Sequence, residues 1–349
     1  METITDLIRD VPIPKMVKIR QNFDRTHIPE TELAGVVTRE LDREEIGGKI
    51  LPGQKIAITC GSRGITHYAV MARAMVDFVK SKGAEPYIVA SMGSHGGATA
   101  GGQLQILRDY GITEEAMGCP VKSSMETVEI GLSAVRKQPV RIDKYASEAD
   151  GILLFNRVKP HTSFRGRYES GLMKMMAIGL GKQHGAENIH HQSPGIMHEL
   201  VEEYGRAVME NCPILGGIAI VENAYDETYL VKGLSPEEII TEEPKLRDLS
   251  YETIAHLLFD ECDVLVVDKI GKNFSGDGMD PNISGRFVQP QYCSGGIDAE
   301  KVVILDLSDE THGNAQGIGL AEVTTRRLFN KMKLEMTYPT GVTNTFLHL

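Results

Sequence analysis

Histidine and lysine side chains are concentrated in one stretch of this chain, residues 151–198. Five of the eleven histidines lie in it: His161, His184, His190, His191 and His198. Imidazole acts as a general acid or base near neutral pH and is a common metal ligand. The stretch also carries Lys174 in the apolar segment GLMKMMAIGLG, where loss of hydration lowers the pKa of an amine and makes it nucleophilic. We therefore predict a site that uses imidazole and amine chemistry.

Further polar side chains follow predicted strands at their carboxyl ends. Arg63 lies in the loop GSRGIT, His95 lies in the loop GSHGGAT, and His161 follows Lys159 and Pro160. Parallel strands bring such loops to one edge of a sheet, so we expect these side chains to share a rim. A guanidinium group fits a carboxylate, and glycine-rich loops before helices bind anions through backbone N–H groups. Neither loop has the spacing of a dinucleotide or ATP motif.

Apolar periodicity predicts the elements that position these loops. A strand at 55–60, a helix closed by Gly83 and a strand at 86–90 form a βαβ unit. Further strands are predicted at 121–123, 151–155, 216–221, 262–268 and 301–307, with helices at 102–110, 114–117 and 196–210. This order predicts an α/β fold of two α/β domains with mostly parallel sheets and an active-site cleft between them. We expect residues 1–255 to carry the chemistry and residues 256–349 to close the cleft.

Two charged segments are predicted to be helical. Residues 38–50 (TRELDREEIGGKI) are typical of a surface helix that ends at the Gly-Gly pair. Residues 233–258 carry capping signals at Ser235 and Ser250, and their many acidic side chains favour a solvated connecting face.

The composition excludes several classes of partner. With a net charge of −11 and a pI of about 5.5, the chain lacks the basic surface that nucleic acid or an anionic membrane would need. It has no apolar run of the ~20 residues that span a membrane, no secretory leader, and five cysteines without CxxC spacing. These features predict a cytoplasmic protein. The segment TGVTNTFLHL ends without a cap, so we expect the natural chain to extend past Leu349.

The residues by themselves leave three functions open. The first is catalysis by the histidines and Lys174, and the second is a hydrolase or lyase with a divalent metal bound by histidines. The histidine spacings match no structural zinc template. The third is a module that binds a phosphorylated ligand through the glycine-rich loops without catalysis. The glycine-rich loop 269–286 contributes Lys272 as a weaker candidate for ligand binding.

The order of the candidate residues resembles the nickel-pincer lactate racemase family of 2-hydroxyacid racemases and epimerases. The similar features are Arg63, GSHGG with His95, KPH with His161, then Lys174 and, sixteen positions later, His190. The resemblance covers most of residues 50–200 and implies two α/β domains with the site between them. It also implies a cofactor, the nickel-pincer nucleotide (pyridinium-3,5-bisthiocarboxylic acid mononucleotide), whose sulfur, carbon and sulfur atoms hold nickel while a histidine completes the plane.

Carried onto this sequence, the resemblance gives each candidate a role. Lys174 would tether the cofactor through a thioamide, and His190 would be the nickel ligand. His95 and His161 would be the two acid–base groups, one for each face of the substrate, during reversible hydride transfer. Ser62 and Arg63 would contact the cofactor. Arg63, with Lys272 as the candidate from the second domain, would hold the substrate carboxylate.

The resemblance also implies partners and a substrate class. The partners would be a small 2-hydroxy acid and the proteins that make the cofactor, and the oligomeric state stays open. The insertion FRGRYES adds Arg165 and Arg167 near the site. Extra cations favour a longer or dianionic acid, such as malate or an aldonate, over lactate.

Overall fold

The computed structural model describes residues 6, 8–12, 14–190 and 192–343. The candidate His191 and the expectation about Leu349 therefore lie outside the described residues. No helix in the described ranges has both the length and the apolarity to cross a lipid bilayer.

A six-stranded sheet forms the centre of the larger part of the chain. Its strands are β1 (Lys55–Cys60), β2 (Glu85–Ala90), β3 (Val121–Lys122), β6 (Gly151–Arg157), β7 (Ile214–Glu222) and β8 (Thr228–Leu234). They lie in the order β3-β2-β1-β6-β7-β8, and all neighbours are parallel except β7 and β8. The chain runs outward from β1 in one direction and from β6 in the other. The crevice between these two strands is the place where such sheets bind ligands.

Helices cover this sheet, and a hairpin lies beside it. The helices are α1 (Glu30–Leu41), α2 (Tyr68–Ser81), α3 (Ala100–Asp109), α4 (Glu114–Met117), α5 (Lys144–Ser147), α6 (Leu172–Lys174), α7 (Lys182–His190), α8 (Met197–Asn211), α9 (Pro236–Thr241) and α10 (Glu243–Thr253). The antiparallel hairpin consists of β4 (Thr127–Leu132) and β5 (Pro139–Asp143). A π-helical turn, Met175–Gly179, follows α6 directly.

Alternation of side chains along the central strands separates two apolar cores. On β1, Ile56 and Ile58 belong to one core whereas Ala57 belongs to the other. On β6, Leu153 and Phe155 likewise pack on the face opposite Leu154. Both faces are therefore buried, which is why these strands read as continuous apolar runs. The prediction of an α/β fold with a mostly parallel central sheet is confirmed.

A second, smaller sheet follows in the chain. It contains β9 (Glu261–Ile270), β10 (Asp298–Leu307) and β11 (Val323–Thr324), all parallel, in the order β11-β10-β9. The remaining helices are α11 (Pro281–Ser284), α12 (Arg326–Lys331) and α13 (Leu334–Thr343). This sheet has an apolar cluster of its own, which includes Ile270, Val302 and Ile304. The domain boundary at residue 255 stays a prediction.

Several local predictions were wrong. A helix was expected within 38–50, but the helix in this region begins upstream at Glu30 and already ends at Leu41. The Gly-Gly pair lies in a short 3₁₀ turn. Ser235 does form a capping box, but Ser250 lies inside α10 and its hydroxyl donates to the Arg247 carbonyl at 2.7 Å.

The interpretation of 233–258 as a solvated face was also wrong. In α10 the side chains of Glu243, Leu246 and Ser250 are buried against the rest of the fold. The hairpin β4–β5 and the strand β8 were not predicted, because polar residues and glycine interrupt the apolar pattern of these short segments.

Candidate active site

The candidate site lies at the carboxyl ends of three neighbouring strands of the central sheet. Arg63 follows β1, His95 follows β2, and Lys159 and His161 follow β6. The loop after β9 approaches the same place, since a side-chain carbon at Gly276 would lie 3.2 Å from Arg63 Nη2. The structure thus brings together residues that are far apart in the sequence, in the arrangement that the parallel strands predict.

The His95 side chain is exposed to solvent although many protein atoms lie around it, the combination expected in a cleft. Its Nδ1 forms a hydrogen bond with the Ser62 hydroxyl. Burial, followed by the positive charges of Arg63 and Lys174, lowers the pKa of His95 to about 3. The imidazole is therefore neutral without a ligand, and an anion bound beside it would raise this pKa toward the range useful for acid–base catalysis.

His161 is fixed by its own loop. The Ser163 backbone N–H donates to His161 Nδ1 at 3.1 Å, which places the proton of the neutral ring on Nε2. The ring stacks on Phe164 with centroids 4.2 Å apart, and the His161 backbone N–H donates to Glu169 at 2.7 Å. Burial, with Lys174 as the next cause, holds the pKa of His161 well below its usual value.

Lys174 ends α6 and immediately precedes the π-helical turn, a feature that is frequent at functional sites. Burial, followed by the charges of Arg63 and Lys159, lowers its pKa to about 7. Within the described part of the chain, no hydrogen bond or ion pair engages its amine. A lysine with a lowered pKa has a larger uncharged fraction near neutral pH than an ordinary lysine, and the uncharged amine is the nucleophile.

The cleft is rich in positive charge. Four cationic side chains, here called the cation cluster, influence one another and the two histidines: Arg63, Lys159, Lys174 and Lys272. The Lys272 amine donates to the Gly276 carbonyl at 2.5 Å, and burial lowers its pKa to about 8. His190, at the end of α7, lies near enough to affect both histidines. A cluster of this charge in a chain of net charge −11 points to an anionic ligand.

Glu243, which the sequence analysis missed, supports the Lys174 turn. Its carboxylate accepts hydrogen bonds from the backbone N–H groups of Leu172 at 2.9 Å and Met173 at 3.2 Å. It therefore caps the first turn of α6 from seventy residues away, and burial raises its pKa to about 8. Tyr251, on the same face of α10, donates to Glu169 at 2.9 Å.

A fully buried polar network supports the His95 loop. Gln103 Nε2 donates to the carbonyl oxygens of Gly93 at 2.9 Å and His95 at 3.2 Å. The Lys182 amine donates to Gln103 Oε1 at 2.7 Å and lies 3.1 Å from an Asp143 oxygen. Lys182, Gln103 and Asp143 have no exposed surface. The local sequence did not predict this network, because a lysine in the segment GLGKQHG is expected to be exposed to solvent.

Replacing Gln103 by leucine should loosen the His95 loop. The change removes the hydrogen bonds from Gln103 Nε2 to the carbonyl oxygens of Gly93 and His95, and it leaves the buried Lys182 amine without one acceptor. The free energy of unfolding should therefore fall by about 1–3 kcal/mol. Hydrogen exchange of residues 91–97 should become faster, and chemical denaturation should show the loss. Gln105→Leu is the matched control, since that side chain bonds Asp109 on the exposed face of the same helix. Equal exchange in the two variants would contradict this role for Gln103.

Arg165 and Arg167 bind the protein itself. Arg165 donates to the His161 carbonyl at 2.6 Å and to Asn282 Oδ1 at 2.6 Å, which ties the His161 loop to α11. Arg167 donates to the Ile240 carbonyl at 2.9 Å. Both guanidinium groups are thus hydrogen-bonded to the protein. Their contacts do not support the expectation that these two cations select a longer or dianionic substrate.

Within the described residues, no three His, Cys, Asp or Glu side chains form a group that could hold a metal ion. A metal ion at this site would therefore need ligands in addition to the side chains of the described residues. The resemblance gives His190 the role of nickel ligand. His190 lies close enough to His95 and His161 for its charge to lower the pKa of both.

Comparison with known proteins gives a family and a likeness to a solved structure. The chain is similar to the lactate racemase apoprotein from Thermoanaerobacterium thermosaccharolyticum, with 15% identity and a TM-score of 0.48, over 78% of this chain and 67% of that one. None of the curated proteins matches this sequence. A family model described as "Domain of unknown function (DUF362)" matches residues 58–232, from β1 through most of β8. Because this match covers just over half of the residues, the chain belongs to the DUF362 family.

Proposed function

We propose that this protein is a racemase or epimerase of a 2-hydroxy acid that uses a nickel-pincer nucleotide tethered to Lys174. The observation that carries the proposal is a half-buried lysine with a pKa of about 7 whose charge acts on two histidines from separate strand exits. Acid–base groups on separate loops can serve the two faces of one substrate, as inversion at a carbon centre requires.

The side chains at the site fit such a cofactor. The amine of Lys174 has no protein partner among the described residues and suits a covalent amide-type bond. His190 would be the ligand that the chain gives to nickel. Arg63 and Ser62, in the loop after β1, would contact the anionic nucleotide, and when bound the cofactor would supply a hydride acceptor beside the substrate Cα.

The chain itself would bind the substrate and move its protons. Arg63 and Lys272 would hold the carboxylate of the 2-hydroxy acid by charge-assisted hydrogen bonds. Ser62 holds His95 at Nδ1, and the Ser163 N–H holds His161 at Nδ1. At His95, Nε2 would accept the hydroxyl proton while Nδ1–H donates to the Ser62 hydroxyl. At His161 the neutral ring carries its proton on Nε2, so this ring would take up a second proton on Nδ1 in exchange for the Ser163 N–H contact.

Attachment at Lys174 would also adjust the histidines. The Lys174 ammonium lowers the pKa of both His95 and His161. An amide-type bond at this nitrogen removes the positive charge, so both pKa values rise. A bound substrate carboxylate acts in the same direction. Loading and substrate binding would thus both act against the lowering of these two pKa values, of which burial is the largest cause.

The test is the mass of protein purified from its native host under denaturing conditions, together with the nickel content of the native protein. We expect a mass increase on the peptide that contains Lys174 and nickel near one atom per chain. Chiral analysis of a panel of 2-hydroxy acids, including lactate, malate and an aldonate, would then identify the substrate. An unmodified Lys174 in active protein would refute the proposal and favour a hydrolase or lyase with a histidine-bound divalent metal.

A further inference from the structure

A cavity of about 200 Å³ adjoins the cation cluster. It lies between the carboxyl ends of β6 and β7, the end of α10 and the start of α11. Its polar lining consists of Arg157, Lys159, Glu222, Asn223, Asp226, Ser250, Asp280 and Asn282. The volume is many times the roughly 10–15 Å³ that one water molecule requires. Lys159 belongs to both the cavity wall and the cation cluster, so the cavity extends the site beyond the histidines.

Two of the three acidic groups of the cavity are already engaged. Glu222 pairs with Arg157 and also accepts the backbone N–H of Thr66 at 2.7 Å. Asp280 caps α11, where it accepts the backbone N–H and the side-chain amide of Asn282, each at 2.9 Å. Asp226 is exposed. The carboxylates nearest to Lys159 are therefore occupied by other donors.

Lys159 is left without a partner. Its backbone pairs with Ser170 in both directions, which fixes its position beside His161. Its amine makes no hydrogen bond or ion pair with any residue in the described ranges. Burial, followed by the charge of Arg157 and with a further contribution from Arg63, lowers its pKa to about 8. The negative charges of Asp280 and Glu222 act in the opposite direction, but neither carboxylate bonds the amine, and a partly buried ammonium group without a bonded anion is costly.

We propose that Lys159 forms a second anion subsite, at the junction of this cavity and the cation cluster, for a carboxylate or phosphate group of the bound ligand. The inference rests on the proposed function only for the kind of ligand, which would be a dicarboxylic 2-hydroxy acid or the nucleotide's phosphate. Lys159 would then recognise a second anionic group of the ligand. The sequence suggested Arg165 and Arg167 for this role, but both guanidinium groups bond to the protein itself.

The test uses the full chain without cofactor and two matched pairs of probes in calorimetric titrations. Malonate and acetate differ by one carboxylate, and nicotinate mononucleotide and nicotinate riboside differ by one phosphate. The wild-type protein should bind the more anionic member of at least one pair about 10-fold more tightly or better. Lys159→Met should abolish that preference while it leaves the other pair unchanged.

Lys232→Met is the matched control, since Lys232 is also partly buried but lies on β8, away from the cavity lining. Loss of the malonate preference would assign the subsite to a second substrate carboxylate, and loss of the phosphate preference would assign it to the nucleotide. Preferences that persist in Lys159→Met, that are absent from the wild type, or that fall equally in Lys232→Met would overturn the proposal. These outcomes do not depend on a mass increase at Lys174, so the two proposals can fail separately.

Discussion

Replacing Lys174 by methionine should abolish both cofactor attachment and racemisation while the protein stays folded. Methionine matches the length of lysine and suits the surrounding segment, where Met173, Met175 and Met176 are buried. Because the change removes an amine whose charged form is disfavoured by its surroundings, stability should be kept or increased. The mass increase should disappear, and activity should fall on the order of 10⁶-fold, to the uncatalysed background. A Lys174→Met variant with wild-type activity would exclude the tether.

The state of the Lys174 amine can be measured without any cofactor. Only the neutral amine reacts with acetic anhydride, and the pKa of Lys174 is lowered to about 7. The rate of its acetylation, followed by mass spectrometry, should rise as the pH increases through about 7 and level off above it. An ordinary lysine continues to gain reactivity up to about pH 10. A Lys174 rate that also rises until pH 10 would contradict the low pKa.

The two acid–base histidines should be needed for turnover but not for cofactor attachment. His161→Asn and His95→Asn should each lower the racemisation rate about 10²- to 10⁴-fold, the usual contribution of a positioned acid or base. The mass increase at Lys174 and the nickel content should persist in both variants. Racemisation would be followed by chiral chromatography, starting from each enantiomer separately.

His67→Asn provides the matched control for these substitutions. His67 precedes α2 in a left-handed conformation with φ of 58°, which asparagine tolerates, and its Nδ1 lies 3.4 Å from a Glu30 oxygen. This variant should keep the wild-type rate. If either His95→Asn or His161→Asn keeps that rate too, the altered histidine is not an acid–base group of the reaction.

The sequence was enough to locate most of the chemistry-bearing residues. Strand, loop and helix signals placed Arg63, His95 and His161 after parallel strands, and such strands necessarily end at one edge. The apolar character of 171–181 predicted a lowered pKa for the Lys174 amine, and the surroundings of this amine in the fold act in the same direction. These inferences succeeded because they depend on residues that are neighbours in the chain. The assigned catalytic and cofactor roles stay predictions.

Contacts between distant segments could not be predicted in the same way. Glu243 caps the Lys174 turn from α10, and Gln103 and Lys182 meet beneath the His95 loop. Arg165, which the sequence suggested as a ligand-binding cation, instead ties its own loop to α11. No local pattern shows which polar side chain will be buried, since that depends on which donors and acceptors the folded chain brings within reach.

The sequence by itself thus determined the α/β fold class, the identity of the strands that carry the site, and the kind of side chains that meet there. Only the tertiary structure decided which cations are free to bind a ligand and which are used by the protein. The physical reason is that periodicity reports the burial of a whole face, whereas the charge state and partners of one buried group depend on its complete surroundings. Lys159 and Arg165 lie six residues apart in one loop, and their surroundings alone assign them different roles.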